Sequence, residues 1–175
     1  MMSETLAAGK KYRIGMYGGK FLPFHKGHRY CVEVAARECE TVYVILFYGG
    51  PEEESVCAGN TALWLSAVER KRIVKEICRS FSDTADVIPA FIDISKLRLP
   101  DGSEDWEAET PLVRKICGDR LDAVYSSEVS YGEYFSGAYP EAVHRLVDVP
   151  RIHYPISGTA IRNFDNEDER RKWML

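Results

Sequence analysis

Apolar residues fall along this chain in short continuous runs separated by amphipathic stripes. Tyr12–Tyr17 (YRIGMY) reads as a strand, and the loop GGKFLPFHK that follows carries two glycines and a proline. From Gly27 onward, Tyr30, Cys31, Val34 and Ala35 make the i, i+1, i+4, i+5 stripe of an amphipathic helix. Thr41–Phe47 (TVYVILF) is a continuous β-branched run, the pattern of a parallel strand buried on both faces. Tyr48–Gly59 is rich in Gly, Pro and Glu and is expected to form a mobile loop. A long helix is expected from about Thr61 to Ser80, with Trp64, Ala67, Val68, Ile73, Val74 and Ile77 turned inward. DVIPAFI is a third strand, and Pro89 within it points to an edge or a bulge. Residues 93–104 read as a loop and Pro111–Cys117 as a short helix with a start as early as Trp106. DAVYSS and VHRLVDV are the fourth and fifth strands, and the charged tail DNEDERRKW a solvated helix.

Strands alternate with helices throughout, which implies right-handed crossovers and an α/β fold. The expected architecture is a Rossmann-like, doubly wound parallel sheet of about five strands in three α/β/α layers. A length of 175 residues suits one domain, taken as 12–175 behind a flexible segment 1–11.

Composition narrows the partners. The chain is 45% hydrophobic and 29% charged, with a net charge of -4. That balance offers no broad basic surface for nucleic acid or an anionic membrane. No run approaches the ~18 apolar residues of a membrane span, and MMSETLAAGKK lacks the apolar stretch of a signal peptide. Five cysteines, at 31, 39, 57, 78 and 117, form no CxxC pair, so free thiols in a cytoplasmic protein are expected rather than a disulfide framework or a zinc site. Self-association is left open.

The loop after the first strand concentrates chemistry. Gly18 and Gly19 let backbone N–H groups approach a phosphate closely, and the helix starting near Gly27 adds the positive end of its dipole. Lys20, Lys26, His25 and His28 add donors. The loop is therefore a candidate phosphate site at the carboxyl end of a strand, where open α/β sheets bind ligands. A tight turn with two helix-capping histidines is the plainer alternative. Neither G-x-x-x-x-G-K-[ST] nor G-x-G-x-x-G is present, which argues against a usual P-loop and a dinucleotide-binding dehydrogenase.

After the fifth strand, Ile156-Ser157-Gly158-Thr159-Ala160-Ile161-Arg162 reads as a loop feeding a helix with Ser157 as N-cap. Thr159 and Arg162 are three apart and share a helical face, so a hydroxyl, a guanidinium and backbone N–H groups form a second candidate anion site.

GKFLPFHKGH and ISGTAIR resemble the two signatures of the HxGH nucleotidyltransferase superfamily. Within it the chain is most similar to the NadR-type nicotinamide mononucleotide adenylyltransferases. The resemblance covers roughly residues 12–173 and includes VYVILFY, the Glu69-Arg70 pair, Trp106 before the next helix, and YSSEVSYGEYF. Two positions depart from that branch: Glu109 stands where it tends to have a second Trp, and Thr159 where it often has Arg. NadR-type proteins commonly carry a C-terminal ribosylnicotinamide kinase domain, which a chain ending at Leu175 is not expected to contain.

The resemblance implies transfer of AMP from ATP to nicotinamide mononucleotide, with Mg2+ carried by the triphosphate. It implies that His25 and His28 bind the ATP phosphates, that Lys20 bridges the reacting phosphates, and that Ser157, Thr159 and Arg162 hold the β- and γ-phosphates. Gly18, Gly19 and Phe21 belong to the same nucleotide-binding loop. Trp106 is a candidate base-stacking residue or a loop anchor. Ser127 and Glu128 are candidates for adenine or ribose contacts, with a helix-start acid as the alternative for Glu128. Arg70 is expected in a structural ion pair, and His144 and His153 are read as structural. The rival readings are a cytidylyltransferase or adenylyltransferase for another phosphate acceptor (a phosphoalcohol or phosphopantetheine) and a nucleotide-binding module without turnover.

Overall fold

The computed structural model describes residues 5–174. Five strands, β1 (Tyr12–Gly19), β2 (Cys39–Tyr48), β3 (Asp86–Asp93), β4 (Ala123–Ser126) and β5 (Val143–Leu146), pair in the order β3-β2-β1-β4-β5. Every pairing is parallel. Helices cover the sheet: α1 (Lys26–Glu38), α2 (Pro51–Ala58), α3 (Ala67–Ser80), α4 (Trp106–Cys117), α5 (Gly132–Ala138), α6 (Gly158–Arg162) and α7 (Glu167–Trp173). The expected doubly wound α/β/α architecture is therefore what forms.

The apolar run of β2 explains the layering. Val42, Val44 and Leu46 face one side and pack with Val32 and Ala35 of α1 and Val74 of α3. Ile45 faces the other and packs with Val113 of α4, Leu121 and Tyr139. Side chains alternate across a strand, so one run serves two cores. Burying a residue such as Leu46, fully inaccessible here, contributes about 1.5–3 kcal/mol. Pro89 lies on β3, an edge strand, where its missing N–H interrupts no ladder.

Three local expectations are corrected. The segment 48–59 is not a loop: Pro51–Ala58 is helix α2. Pro51 occupies the first turn, where its missing N–H costs nothing, and Glu52, Glu53 and Glu54 favour the positive end of the helix dipole. The long helix starts later than Thr61. Leu63–Leu65 is a 3-10 turn, and Ser66 then caps α3 by accepting the Glu69 N–H at 3.2 Å. Val68, expected inward, is 80% exposed, because α3 turns Arg70 rather than Val68 into the protein.

Part of the N-terminal segment is tied to the domain. Lys10 Nζ donates to the Ala36 and Thr84 carbonyls, and the Lys11 N–H to the Glu38 carbonyl. No helix of the described residues is long and apolar enough to cross a membrane.

The order of connection sets the site. From β1 the chain winds outward through β2 to β3, then returns to place β4 on the other side of β1. Between β1 and β4 the crossovers diverge and leave a crevice at the strands' carboxyl ends. The loops after β1 and β4 both open there.

Candidate active site

Twelve of the residues singled out in the sequence line one cavity of about 390 Å³: Gly18, Gly19, Lys20, Phe21, His25, His28, Trp106, Ser127, Glu128, Ser157, Thr159 and Arg162; Lys26, expected as a further donor, does not line it. The twelve come from four places in the chain: the end of β1 through the start of α1, the start of α4, the loop after β4, and α6 with its N-cap, after β5.

The histidines are held by the start of α1. His25 is the N-cap, and its Nδ1 accepts the Gly27 N–H at 3.0 Å. His28 Nδ1 accepts the His25 N–H at 3.2 Å, closing a capping box, and the two rings stack with centroids 3.7 Å apart. With both Nδ1 atoms accepting, each neutral ring carries its proton on Nε2 and keeps one N–H to donate. Phe21, held at φ 50, and Phe24 pack against the His28 ring with centroids 4.9 and 5.3 Å away. A left-handed conformation is uncommon for a bulky residue, so the turn that places Phe21 is locally strained.

Burial, with the nearby Arg151 charge, lowers the His25 pKa to about 4. Burial, His25 and Arg151 push His28 well below the usual histidine range. A histidine lowered in the fold binds protons first in the unfolded chain, so stability falls as pH drops below 6.5. We expect denaturant midpoints to fall steadily from pH 6.5 toward pH 4, with His25 alone contributing up to about 1.4 kcal/mol per pH unit. His25→Asn, which keeps a capping oxygen, should flatten that slope.

The second motif folds as expected locally. Ser157 caps α6 by accepting the Ala160 N–H at 3.1 Å, which leaves its own hydroxyl proton free. Arg162 Nη2 donates to Thr159 Oγ1 at 3.2 Å, and Nη1 donates to the Leu22 carbonyl in the β1 loop. Gly158 allows this junction, since a Cβ there would lie 2.9 Å from the Leu22 oxygen. The two motifs thus touch through Arg162 and Gly158.

Lys20 and Arg70 form a second layer of charge. Lys20 Nζ contacts Glu104 at 2.6 Å and Glu52 at 2.9 Å. Burial lowers its pKa, but the two carboxylates outweigh this and raise it, so Lys20 stays cationic. Arg70 is wholly buried and donates from Nη1 to the Lys20 carbonyl at 2.8 Å and from Nε to the Leu65 carbonyl at 2.9 Å. The expected structural ion pair exists, but its acid is Glu53 of α2 rather than Glu69. Glu69 instead pairs with Arg72 on the outer face of α3.

Trp106 opens α4 behind the N-cap Asp105 and meets Tyr131 and Tyr134 edge-on, with ring centroids 5.2 and 5.0 Å away. The Tyr134 hydroxyl donates to the Trp106 carbonyl at 2.8 Å. Ser127 Oγ lies 3.3 Å from Cys31 Sγ, and Glu128 accepts from Arg151 Nη2 at 3.2 Å. His144 is on β5 with Nε2 2.7 Å from Ser126 Oγ, and the His153 N–H donates to Asp148.

Arg151, Glu104 and Glu109 also line the cavity and were missed in the sequence. Arg151 (φ 51) and Asp148 (φ 48) make a left-handed turn in which Asp148 accepts the N–H groups of Ile152, His153 and Tyr154. An Asp-Val-Pro stretch leaving β5 was the available signal for such a turn. Among the described residues, no group of three His, Cys, Asp or Glu side chains is arranged to hold a metal ion.

The chain is 25% identical over 166 residues to the trifunctional NAD biosynthesis/regulator protein NadR of Escherichia coli (strain K12). That match takes in 94% of this chain, which spans only 38% of the relative's length. Among solved structures, a NadR protein in complex with NAD and AMP-PNP superposes with a TM-score of 0.63 at 21% identity, over 94% of this chain and 45% of that one. A bifunctional NMN adenylyltransferase/ADP ribose pyrophosphatase from Francisella tularensis gives 0.60 at 20% identity, over 86% and 41%. At these identities the structural matches speak for the fold. The sequence profile of the cytidylyltransferase-like family matches residues 16–164, a span that begins inside β1 and takes in both the His25–His28 and Ser157–Arg162 motifs, and the chain belongs to that family of nucleotidyltransferases.

Proposed function

We propose that the protein transfers the AMP moiety of ATP to nicotinamide mononucleotide, giving NAD and pyrophosphate. The observation that carries this reading is the convergence of two donor-rich loops and the Trp106 aromatic cluster on one cavity. The NAD-biosynthesis relative supports the choice of acceptor.

A phosphate oxygen of the mononucleotide attacks the α-phosphorus of ATP, and the bond to the β-phosphate breaks as pyrophosphate leaves. The attacking phosphate is already ionised and needs no general base. The protein's task is to align the two phosphates and to stabilise charge as it grows. His25 and His28 each offer an Nε2–H, and Ser157 and Thr159 offer hydroxyl protons. Arg162 and Lys20 supply the cations. A divalent ion enters with the triphosphate, in keeping with the AMP and Mn ion held by a structure of the Francisella tularensis relative.

Lys20 must leave an acidic partner to serve a phosphate. Glu52 is the one that yields, because its side chain is 57% exposed whereas that of Glu104 is 11% exposed. Glu52→Gln is therefore expected to lower the KM for ATP by about threefold, the size of one exposed ion pair. Initial-rate titrations with ATP check this, and an unchanged or raised KM contradicts the competition.

The acceptor is tested by pairing ATP or CTP with nicotinamide mononucleotide, phosphopantetheine and phosphoalcohols, and measuring pyrophosphate release. The reading requires the highest kcat/KM for ATP with nicotinamide mononucleotide. A better rate with another pair replaces it, and nucleotide binding without release from any pair favours a module without turnover.

A further inference from the structure

We propose that helix α7 clamps the two phosphate-binding motifs together, and that Arg170 is the residue through which it positions α6 for the outer phosphates of ATP. This rests on the reading that Ser157, Thr159 and Arg162 hold those phosphates.

The sequence of α7 reads as a solvated helix, and none of its residues is buried. The helix is nonetheless well formed in itself. Asn166 caps it by accepting the Asp168 N–H at 2.8 Å, and three acids in its first turn and three bases in its last suit its dipole. Arg170 and Met174, one turn apart, join it to the two motifs.

Arg170 serves α6. Its Nη2 donates to the Phe164 carbonyl at 2.8 Å, and its Nε reaches the Ile161 carbonyl at 3.5 Å. Both carbonyls lie at the carboxyl end of α6, where helical carbonyls run short of N–H partners and a cation is favoured. α6 has only five residues, too few to hold a helical turn by its own hydrogen bonds. Ser157 fixes one end and Arg170 the other, with Thr159 and Arg162 between them.

The guanidinium rests over the Trp64 ring, 5.0 Å from its centroid. Trp64 belongs to the 3-10 turn Leu63–Leu65, whose Leu65 carbonyl is held by Arg70. Arg70 also holds the Lys20 carbonyl, so Arg170 stands on a platform tied to the β1 loop. Four residues on, the backbone of Met174 pairs with that of His25 as an isolated antiparallel bridge. His25 is the N-cap of α1 and the first histidine of the other motif. The segment Arg170–Met174 therefore touches α6 at one end and the histidine loop at the other.

Arg170 lies outside the cavity lining, so it meets no phosphate and acts by holding Thr159 and Arg162 in place. Without it, the Ser157 cap and the Arg162 bond to the Leu22 carbonyl remain. The domain then stays folded while α6 loses its fixed carboxyl end.

The test measures Kd for ATP and for AMP, each with Mg2+, by calorimetry on the native protein, Arg170→Ala, Arg170→Lys and Arg171→Ala, with melting curves alongside. AMP lacks the phosphates that α6 is read as holding. The native protein should bind ATP more tightly than AMP. Arg170→Ala should raise the Kd for ATP about tenfold, the size of one hydrogen bond to a charged group, and leave that for AMP within about threefold. Arg170→Lys keeps the cation over Trp64 and one donor, and should recover part of the ATP affinity. Arg171 pairs only with Glu167 across exposed side chains of the same helix, so Arg171→Ala should change neither constant. Unchanged ATP binding in whichever Arg170 variant folds overturns the inference, as does equal weakening of ATP and AMP, the mark of a merely structural role. Loss of folding in both Arg170 variants overturns it too, by assigning Arg170 to stability alone. Native binding of ATP no tighter than AMP overturns the reading of the phosphate site, and the inference with it.

Discussion

Replacing His28 with alanine is expected to lower kcat by about 100–1000-fold, the usual effect of removing one transition-state donor. The ring is fixed at Nδ1 by the His25 N–H and on its face by Phe21 and Phe24. Its Nε2–H is thus aimed without help from solvent. Deleting the ring also removes one capping bond from α1, which costs about 1 kcal/mol. His28→Asn separates the two effects, because its side-chain oxygen can still accept the His25 N–H. Asparagine should restore stability but not turnover. Steady-state kinetics on both variants, with melting curves alongside, check this, and near-native kcat in folded His28→Ala rules out the proposed role.

The largest expected loss of stability comes from Arg70. Its guanidinium joins three parts of the site: the Lys20 carbonyl in the β1 loop, the Leu65 carbonyl before α3, and Glu53 on α2. Arg70→Met fills similar volume but leaves Glu53 facing the interior without its cation. Breaking a buried pair in this way costs about 3–5 kcal/mol. For a domain of this size that corresponds to a fall in Tm of roughly 6–20 °C. Adding Glu53→Gln to Arg70→Met should recover part of the loss, since the uncompensated charge is removed. Thermal or urea melts of the two single variants and the double variant measure the coupling. Additive losses would show that Arg70 acts on the backbone carbonyls alone.

What could be read in the sequence follows from which contacts are local. The central strands were legible because parallel strands buried on both faces leave continuous apolar runs, and TVYVILF in β2 is the clearest of them, whereas β5, an edge strand with Val143 exposed, shows only a short mixed run. The two candidate phosphate loops were legible because His25–His28 and Ser157–Arg162 each act within one helix start, where the partners are two to four residues apart. Helix α2 was hidden by its own start: Gly50-Pro51 reads as a turn, yet proline suits the first position of a helix. The partner of Arg70 was hidden because Glu53 is 17 positions earlier, and only the packing of α2 beside α3 brings the two together. Glu104 and Glu109 look like solvated acids flanking a helix start. Their burial beside Lys20 depends on the loop after β1, more than eighty residues away in the chain.

Those same contacts connect charge with function. Lys20 is cationic but occupied, His25 and His28 are neutral but oriented, and Arg162 is tied to the loop that holds them. The proposed phosphate site needs no broad basic surface, so a net charge of -4 is compatible with it.

The most direct test of adenylyl transfer follows the α-phosphorus itself. ATP labelled at that position is incubated with the purified protein, a divalent cation and nicotinamide mononucleotide, and the products are separated. The account predicts label in NAD, equimolar with released pyrophosphate and with none retained covalently on the protein. Label appearing only in AMP, or remaining in ATP while nicotinamide mononucleotide is untouched, would contradict it.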